Sequence, residues 1–291
     1  RGLRVLGFER GYEGLIRNSV RPLDPRSVGG ILQLGGTILR SARCPEFHED
    51  ECIRRAAENL AANDIDGLIV IGGDGSFQGA LRLSGMCGAA VVGVPATIDN
   101  DVFGTEETIG FDTAVNTAVS QIDKIRDTAV SFERTFVVEV MGRKRGFLAL
   151  SVGLTVGAEA ILVPEVRFSL DEVCRELEED RRKGKRSAII VAAEGVGDNR
   201  RLTQEIEERT GSEARLTVLG YVQRGGSPTA RSRLLANLFG AKAVELLMEG
   251  RRNEIVGLRG GRVASVDLER SCKSVKLLDT KLLQLAKELA V

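Results

Sequence analysis

Short apolar runs that end in glycine recur along the chain, each followed by residues spaced as on a helix face. GLIVI at 67–71 precedes Gly72, and TFVVEV at 135–140 precedes Gly142; AIIV at 188–191, LTVL at 216–219 and VVGV at 91–94 are similar. Runs this continuously apolar predict strands buried on both faces, as in a parallel sheet covered by helices. Between them, Ala118, Ile122 and Ile125 repeat at helical spacing, which predicts a helix over 113–129. A second is predicted over 234–248, with Gly250 as its stop. Alternating β and α units make the fold class α/β, with parallel-rich, doubly wound sheets.

Length and composition narrow the picture. The 291 residues suffice for two α/β domains, each with its own core. Lys and Arg total 41 and so do Asp and Glu, so no bulk field draws the chain to nucleic acid or a membrane surface, although a local basic pocket for phosphates is compatible. Five cysteines, an odd number without CxxC spacing, read as reduced thiols of a cytoplasmic protein rather than a disulfide framework or zinc site. No apolar run is long enough to cross a bilayer and no signal peptide opens the chain. Its first residues, GLRVLGF at 2–8, already read as a strand.

Four loops carry the candidate chemistry. Gly72-Gly73-Asp74-Gly75-Ser76 follows a strand and opens a helix. Glycines there let the backbone approach a phosphate, and a helix N-terminus favours an anion. Asp74 is placed to hold Mg²⁺, though a tight turn without a ligand uses the same residues. Pro95-Ala96-Thr97-Ile98-Asp99-Asn100-Asp101 puts two carboxylates just past a strand, where open α/β sheets bind ligands. One such carboxylate can take a hydroxyl proton while the other orients a metal or side chain; Asp and Asn also simply build turns. The third loop ends Met141-Gly142-Arg143, and the fourth reads RLTVLGYVQRGGSP at 215–228. Arginine's planar fork suits phosphate at such strand ends, and surface arginines are also often merely solvated.

Taken in order, GGDGS, PATIDND, VVEVMGR and TVLGYVQRGGSP, with ARCPEF at 42–47, make the chain resemble the phosphofructokinase family over nearly its whole length. The resemblance implies two Rossmann-like three-layer α/β/α domains. A nucleotide-binding domain is expected at 1–110 plus 223–275, and a sugar-phosphate domain at 111–222 plus 276–291. It implies transfer of the ATP γ-phosphoryl to the 1-hydroxyl of fructose 6-phosphate, with Mg²⁺, in a cytoplasmic homotetramer. Asp99 is then the base, with Thr97, Asp101 and Arg143 beside it. Tyr12, Arg43, Cys44, Gly73, Asp74, Gly75, Ser76 and Gly79 are expected at the nucleotide, with Asp74 serving the metal. Met141, Gly142, Arg143, Glu194, Tyr221 and Arg224 are expected at the sugar phosphate, joined by Arg134 and Arg215 from a neighbouring subunit. Arg126, Glu165, Lys183 and Lys185 match effector-binding positions, and a solvated basic loop is the plainer reading of 181–186.

Pyrophosphate-using relatives place Asp where this chain has Gly75 and Lys where it has Ala96; Gly75 favours ATP, and Ala96 matches neither the usual Gly nor the Lys, though its small side chain sides with ATP. Two departures stand out. Tyr221 replaces a histidine that helps bind the 6-phosphate, and a phenol cannot be a cation at neutral pH. The family's opening strand and GGDxPG loop have no counterpart here. The alternatives are a pyrophosphate-dependent enzyme and a catalytically idle regulatory subunit. His48, the one histidine, lies outside these motifs and is expected at the surface.

Overall fold

The apolar runs become strands of two four-stranded sheets in the computed structural model, which describes residues 2–290. In chain order the elements begin β1 (Val5–Phe8), α1 (Tyr12–Ile16), β2 (Val20–Leu23), α2 (Asp50–Ala62), β3 (Gly67–Gly72), α3 (Asp74–Ser84) and β4 (Ala90–Pro95). There follow α4 (Phe111–Phe132), β5 (Thr135–Val140), α5 (Phe147–Val156), β6 (Ala160–Leu162), α6 (Leu170–Arg182), β7 (Ala188–Ala193), α7 (Asn199–Thr210) and β8 (Ala214–Val218). The last are α8 (Ala230–Met248), β9 (Glu254–Arg259), β10 (Arg262–Asp267), α9 (Leu268–Lys273) and α10 (Lys281–Leu289).

The chain divides into two units. One takes the chain through Thr97, then Val102–Gly110 and Gly226–Lys276; the other takes Ile98–Asp101, Phe111–Gly225 and the chain from Leu277. Two short pieces lie in the second unit that the sequence borders put in the first. Ile98 packs into the apolar core beneath β5 and β7, carrying Asp99 with it. Gln223 is tied by hydrogen bonds to Met141 and Gly220.

The first unit's sheet has the order β10-β9-β4-β3, parallel except for the β9–β10 hairpin. Alternate residues of β4 and β9 feed two cores. Val92, Val94, Val256 and Leu258 pack on α8, while Val91 and Ile255 pack on Phe77 and Ala80 of α3 and Leu268 of α9. β1 and β2 form a separate antiparallel ribbon. Among the described residues β3 pairs with β4, and its Ile71 is 67% exposed.

The second unit's sheet, β6-β7-β5-β8, is parallel throughout. Here β5 and β7 meet the expectation of burial on both faces. Phe136, Val138, Val140, Ile189 and Val191 face α4 and α5, and Val137, Ile190 and Ala192 face α6 and α7. Side-chain caps start four of the helices: Ser169, Asp198, Thr229 and Asp267 accept the N–H of Glu172, Arg201, Ser232 and Arg270. The α4 and α8 helices each begin a few residues before their predicted starts.

Candidate active site

Residues of the expected site gather at the carboxyl ends of strands in both units, and each group is built by its own unit. In the first, β3 runs into Gly73, the N-terminal cap of α3, and Asp74 and Gly75 stand exposed in the helix's first turn. The Ala96 N–H donates to the Gly72 carbonyl at 2.8 Å, aligning the ends of β3 and β4. A Cβ on Gly73 would lie 3.2 Å from Thr97 Cβ, so the turn passes tightly over Thr97. A Cβ on Gly75 would meet nothing within 4 Å. The chain's own packing therefore does not demand glycine at 75. The exposed N–H groups of this first turn and the helix dipole suit an anion.

Tyr12 supports this turn from behind. Its hydroxyl donates to the Ser76 carbonyl, and its ring stacks on Phe47 with centroids 3.9 Å apart. Gly79 allows that stack, since a Cβ there would fall 2.8 Å from the Tyr12 ring. Burial pushes the Tyr12 phenol up, with the neighbouring Cys272 adding to the shift. Tyr12 and Gly79 thus have packing reasons for their identities. Arg43 is exposed, and Cys44 caps the short helical turn Pro45–His48, on which His48 is exposed as expected. Asp74 is the carboxylate of this loop suited to Mg²⁺, an ion that keeps several waters and needs only one or two carboxylates beside substrate phosphates. Among the described residues there is no cluster of three or more His, Cys, Asp or Glu side chains that could hold a metal alone.

In the second unit, residues 98–101 turn through Asn100, whose φ of 51° is left-handed, a conformation asparagine tolerates better than most. Asp99 is 5% exposed. Burial chiefly, then the nearby Asp101, pushes its carboxyl up; Arg143 and Arg224 pull it back, and Glu194 pushes it up again. Arg143 Nε lies 3.4 Å from Asp99 Oδ2. Glu194 Oε1 accepts the N–H groups of both Gly142 and Arg143. Arg224 stands 5.4 Å over the Tyr221 ring, and that ring is 77% exposed.

The two arginines expected to serve a neighbouring subunit are held within their own chain. Arg134 pairs with Glu213 and lies 4.5 Å over the Phe132 ring; Arg215 pairs with Glu213 as well and lies 3.7 Å from Glu207. The four expected effector residues have separate partners. Arg126 donates to the Val156 carbonyl at 2.6 Å, and Lys183 lies 3.7 Å from Asp180. Glu165 accepts the Gly146 N–H at 3.0 Å, at the start of α5. Lys185 instead meets Glu159, at 2.8 Å. Glu159 was not singled out by the sequence, because a lone Glu before an Ala-Ile-Leu strand carries no local signal. Gln223 was also missed, although it sits inside the fourth motif. It is 1% exposed; its Oε1 accepts the Met141 N–H at 3.4 Å and its Nε2 donates to the Gly220 carbonyl at 3.1 Å.

Comparison with known proteins matches this chain to a family model described as Phosphofructokinase over residues 1–247. An ATP-dependent 6-phosphofructokinase of Lysinibacillus sphaericus is 53% identical over 290 residues, covering 100% of this chain and 91% of the relative. The ATP-dependent 6-phosphofructokinase 1 of Clostridium perfringens is 50% identical over 285 residues, covering 98% and 89%. Among solved structures, phosphofructokinase from Saccharomyces cerevisiae superposes with a TM-score of 0.85 at 32% identity, over 99% of this chain and 44% of the yeast chain. A pyrophosphate-dependent phosphofructokinase from Marinobacter aquaeolei gives 0.84 at 22% identity, over 96% and 77%, a likeness of fold alone.

Proposed function

Since the chain belongs to the phosphofructokinase family, we propose that it transfers the γ-phosphoryl of ATP to the 1-hydroxyl of fructose 6-phosphate. The observation that carries the reading is Asp99, a buried carboxylate with its pKa raised and two arginines acting on it. A carboxylate tuned upward is a better base near neutral pH than an ordinary one, and it keeps its place beside cations that can meet phosphate. Asp99 takes the proton of the 1-hydroxyl as that oxygen bonds to the γ-phosphorus. The bond from phosphorus to the bridging oxygen breaks, and ADP leaves with the electron pair. Arg143 stabilises charge on the transferring group, while Arg224, steadied by Tyr221, holds the 6-phosphate. Such a transfer needs positioning and charge neutralisation more than covalent catalysis.

The nucleotide is assigned to the Gly73–Ser76 turn, with Arg43 reaching its phosphates and Thr97 beneath. Asp74 is the residue that would hold Mg²⁺, which would supply neutralisation of the phosphate charge. The open space at Gly75 supports ATP over pyrophosphate, because an α-phosphate needs room that an Asp side chain would occupy and repel. We assign Arg134 and Arg215 to the 6-phosphate of a neighbouring copy in a cytoplasmic homotetramer, each exchanging its pairing with Glu213 for phosphate. Among the described residues no helix is long and apolar enough to cross a membrane. For regulation, Arg126, Glu165, Lys183 and Lys185 remain the candidates.

The test is a coupled assay with fructose 6-phosphate, Mg²⁺ and either ATP or pyrophosphate. Turnover with ATP that is lost in Asp99→Asn is the expected result. Turnover with pyrophosphate alone would overturn the donor assignment, and a folded protein idle with both donors would overturn the enzyme reading.

A further inference from the structure

The turn at 141–143, which ends β5, carries a conformation that its sequence does not favour. Gly142 has φ 138°, and Arg143, with a full side chain, has φ 54°. Left-handed backbone costs a residue other than glycine about 1 kcal/mol or more unless its surroundings impose it. Two groups impose it here, and both come from the turn after β7. Glu194 Oε1 accepts the N–H of Gly142 at 3.1 Å and that of Arg143 at 2.5 Å. The carboxylate so occupies a nest of successive N–H groups, the backbone form that binds anions. The adjoining Gly195 packs against the same turn. A Cβ at 195 would lie 2.4 Å from the Arg143 carbonyl oxygen and 3.3 Å from Lys144 Cα. Arg143, so held, reaches Asp99. A contact between Glu194 and sugar hydroxyls explains neither the nest nor the absence of a side chain at 195.

We propose that Glu194 and Gly195 are positioning residues, clamping the 141–143 turn in the one conformation that delivers the Arg143 guanidinium to the Asp99 carboxylate. The inference rests on the phosphoryl-transfer reading for its kinetic consequence, and its structural content can be read without turnover. The charged groups acting on Asp99 are Asp101, Arg143, Arg224 and Glu194. Of these, the clamp controls the place of Arg143.

The first variant is Gly195→Ala, which leaves every carboxylate and guanidinium in the sequence and drives one methyl group at the Arg143 carbonyl. We expect kcat to fall on the order of tenfold to a hundredfold, the range that follows a displaced catalytic group. As Arg143 retreats, the Asp99 titration, followed by ¹³C-carboxyl NMR, and the acid limb of kcat both move to higher pH. In an Arg143→Ala background the same substitution should change kcat by less than about twofold, since residues acting through one another are not additive. Glu194→Gln, which keeps an acceptor oxygen for both N–H groups, should recover most of the kcat lost in Glu194→Ala. An unmoved Asp99 titration in Gly195→Ala overturns the proposal whether or not the protein is a kinase. So does an equal loss of kcat with and without Arg143, or a pair of Glu194 variants that raise the fructose 6-phosphate KM and leave kcat intact.

Discussion

Arg143 and Asp99 form a lopsided ion pair: the guanidinium side chain is 66% exposed and the carboxylate side chain 7%, with 3.4 Å between Nε and Oδ2. An arginine mostly in water gives up little by swinging toward a phosphate. The carboxylate has no such freedom, and its environment decides its proton affinity. Burial and Asp101 raise it, and the two arginines temper the rise.

Asp99→Asn should therefore separate activity from stability. Removing a general base lowers kcat by about 10²–10⁴, with fructose 6-phosphate binding largely kept. Stability should move the other way. Because the folded-state pKa is raised, the unfolded chain ionises first as pH climbs. The native state consequently loses stability from the unfolded pKa, about 3.9, up through its own higher value. Asn has no charge to bury, so its melting temperature should exceed the wild type's at pH 7 and the gap should close in acid. Calorimetry at two pH values decides this, and a lower melting temperature for the variant at pH 7 refutes it.

Gly75→Asp should fold well and use ATP badly. Nothing occupies the Cβ position, the site is in the first turn of α3, and an acidic residue there is favoured by the helix dipole. Exposed substitutions of this kind stay within about 0.5 kcal/mol. Against a nucleotide phosphate, however, the added carboxylate is a like charge costing several kcal/mol. The KM for ATP should rise at least about tenfold while the melting temperature holds, as steady-state kinetics and a thermal melt would show.

At Tyr221 the expected effect is small and specific. The ring is exposed and offers Arg224 a cation–π contact, worth about 0.5–1 kcal/mol in such a setting. Tyr221→Ala should raise the fructose 6-phosphate KM by roughly twofold to fivefold and leave kcat alone. A drop in kcat without a change in KM would show that the ring does something else.

Lys185→Met should destabilise the second unit. Glu159 is buried, with its side chain 4% exposed, and its two oxygens are taken by Lys185 and by the Ile189 N–H. Removing a partner from a fully buried pair costs 3–5 kcal/mol. With Lys185 itself 29% exposed, a smaller loss of about 1–3 kcal/mol is expected. Adding Glu159→Gln should recover part of it in urea denaturation. If Lys185→Met alone is neutral, the pair contributes nothing to the fold.

How far the sequence foretold this molecule can be judged residue by residue. β4, β5 and β7 were legible because each is covered on both faces, and their unbroken Val and Ile runs report that condition. β3 has the same composition, yet Ile71 is exposed, which composition alone does not foretell. The β9–β10 hairpin has a local signal of its own: Gly260 and Gly261, at φ 56° and 71°, supply the two-residue turn that such hairpins favour. Asp99 and Arg143 stood out within motifs, and the structure brings them together. Glu159 and Gly195 did not stand out. Their roles arise from residues 26 and 52 positions away, Lys185 and Arg143, and no local pattern encodes a contact across that separation.

The strand order β10-β9-β4-β3 has a consequence for the chain as it leaves the ribosome. The second unit's sheet has all four strands once Val218 has been made, whereas β4 waits for β9 and β10, which end at Asp267. At cellular elongation rates that interval, about fifty residues, lasts on the order of 3–10 s. For those seconds β4 lacks its β9 neighbour, so a sheet begun before the second unit's is completed after it. Nascent-chain aggregation should begin there, and early chaperone contact should fall on Gly67–Gly72 and Ala90–Pro95 rather than on the strands that follow them.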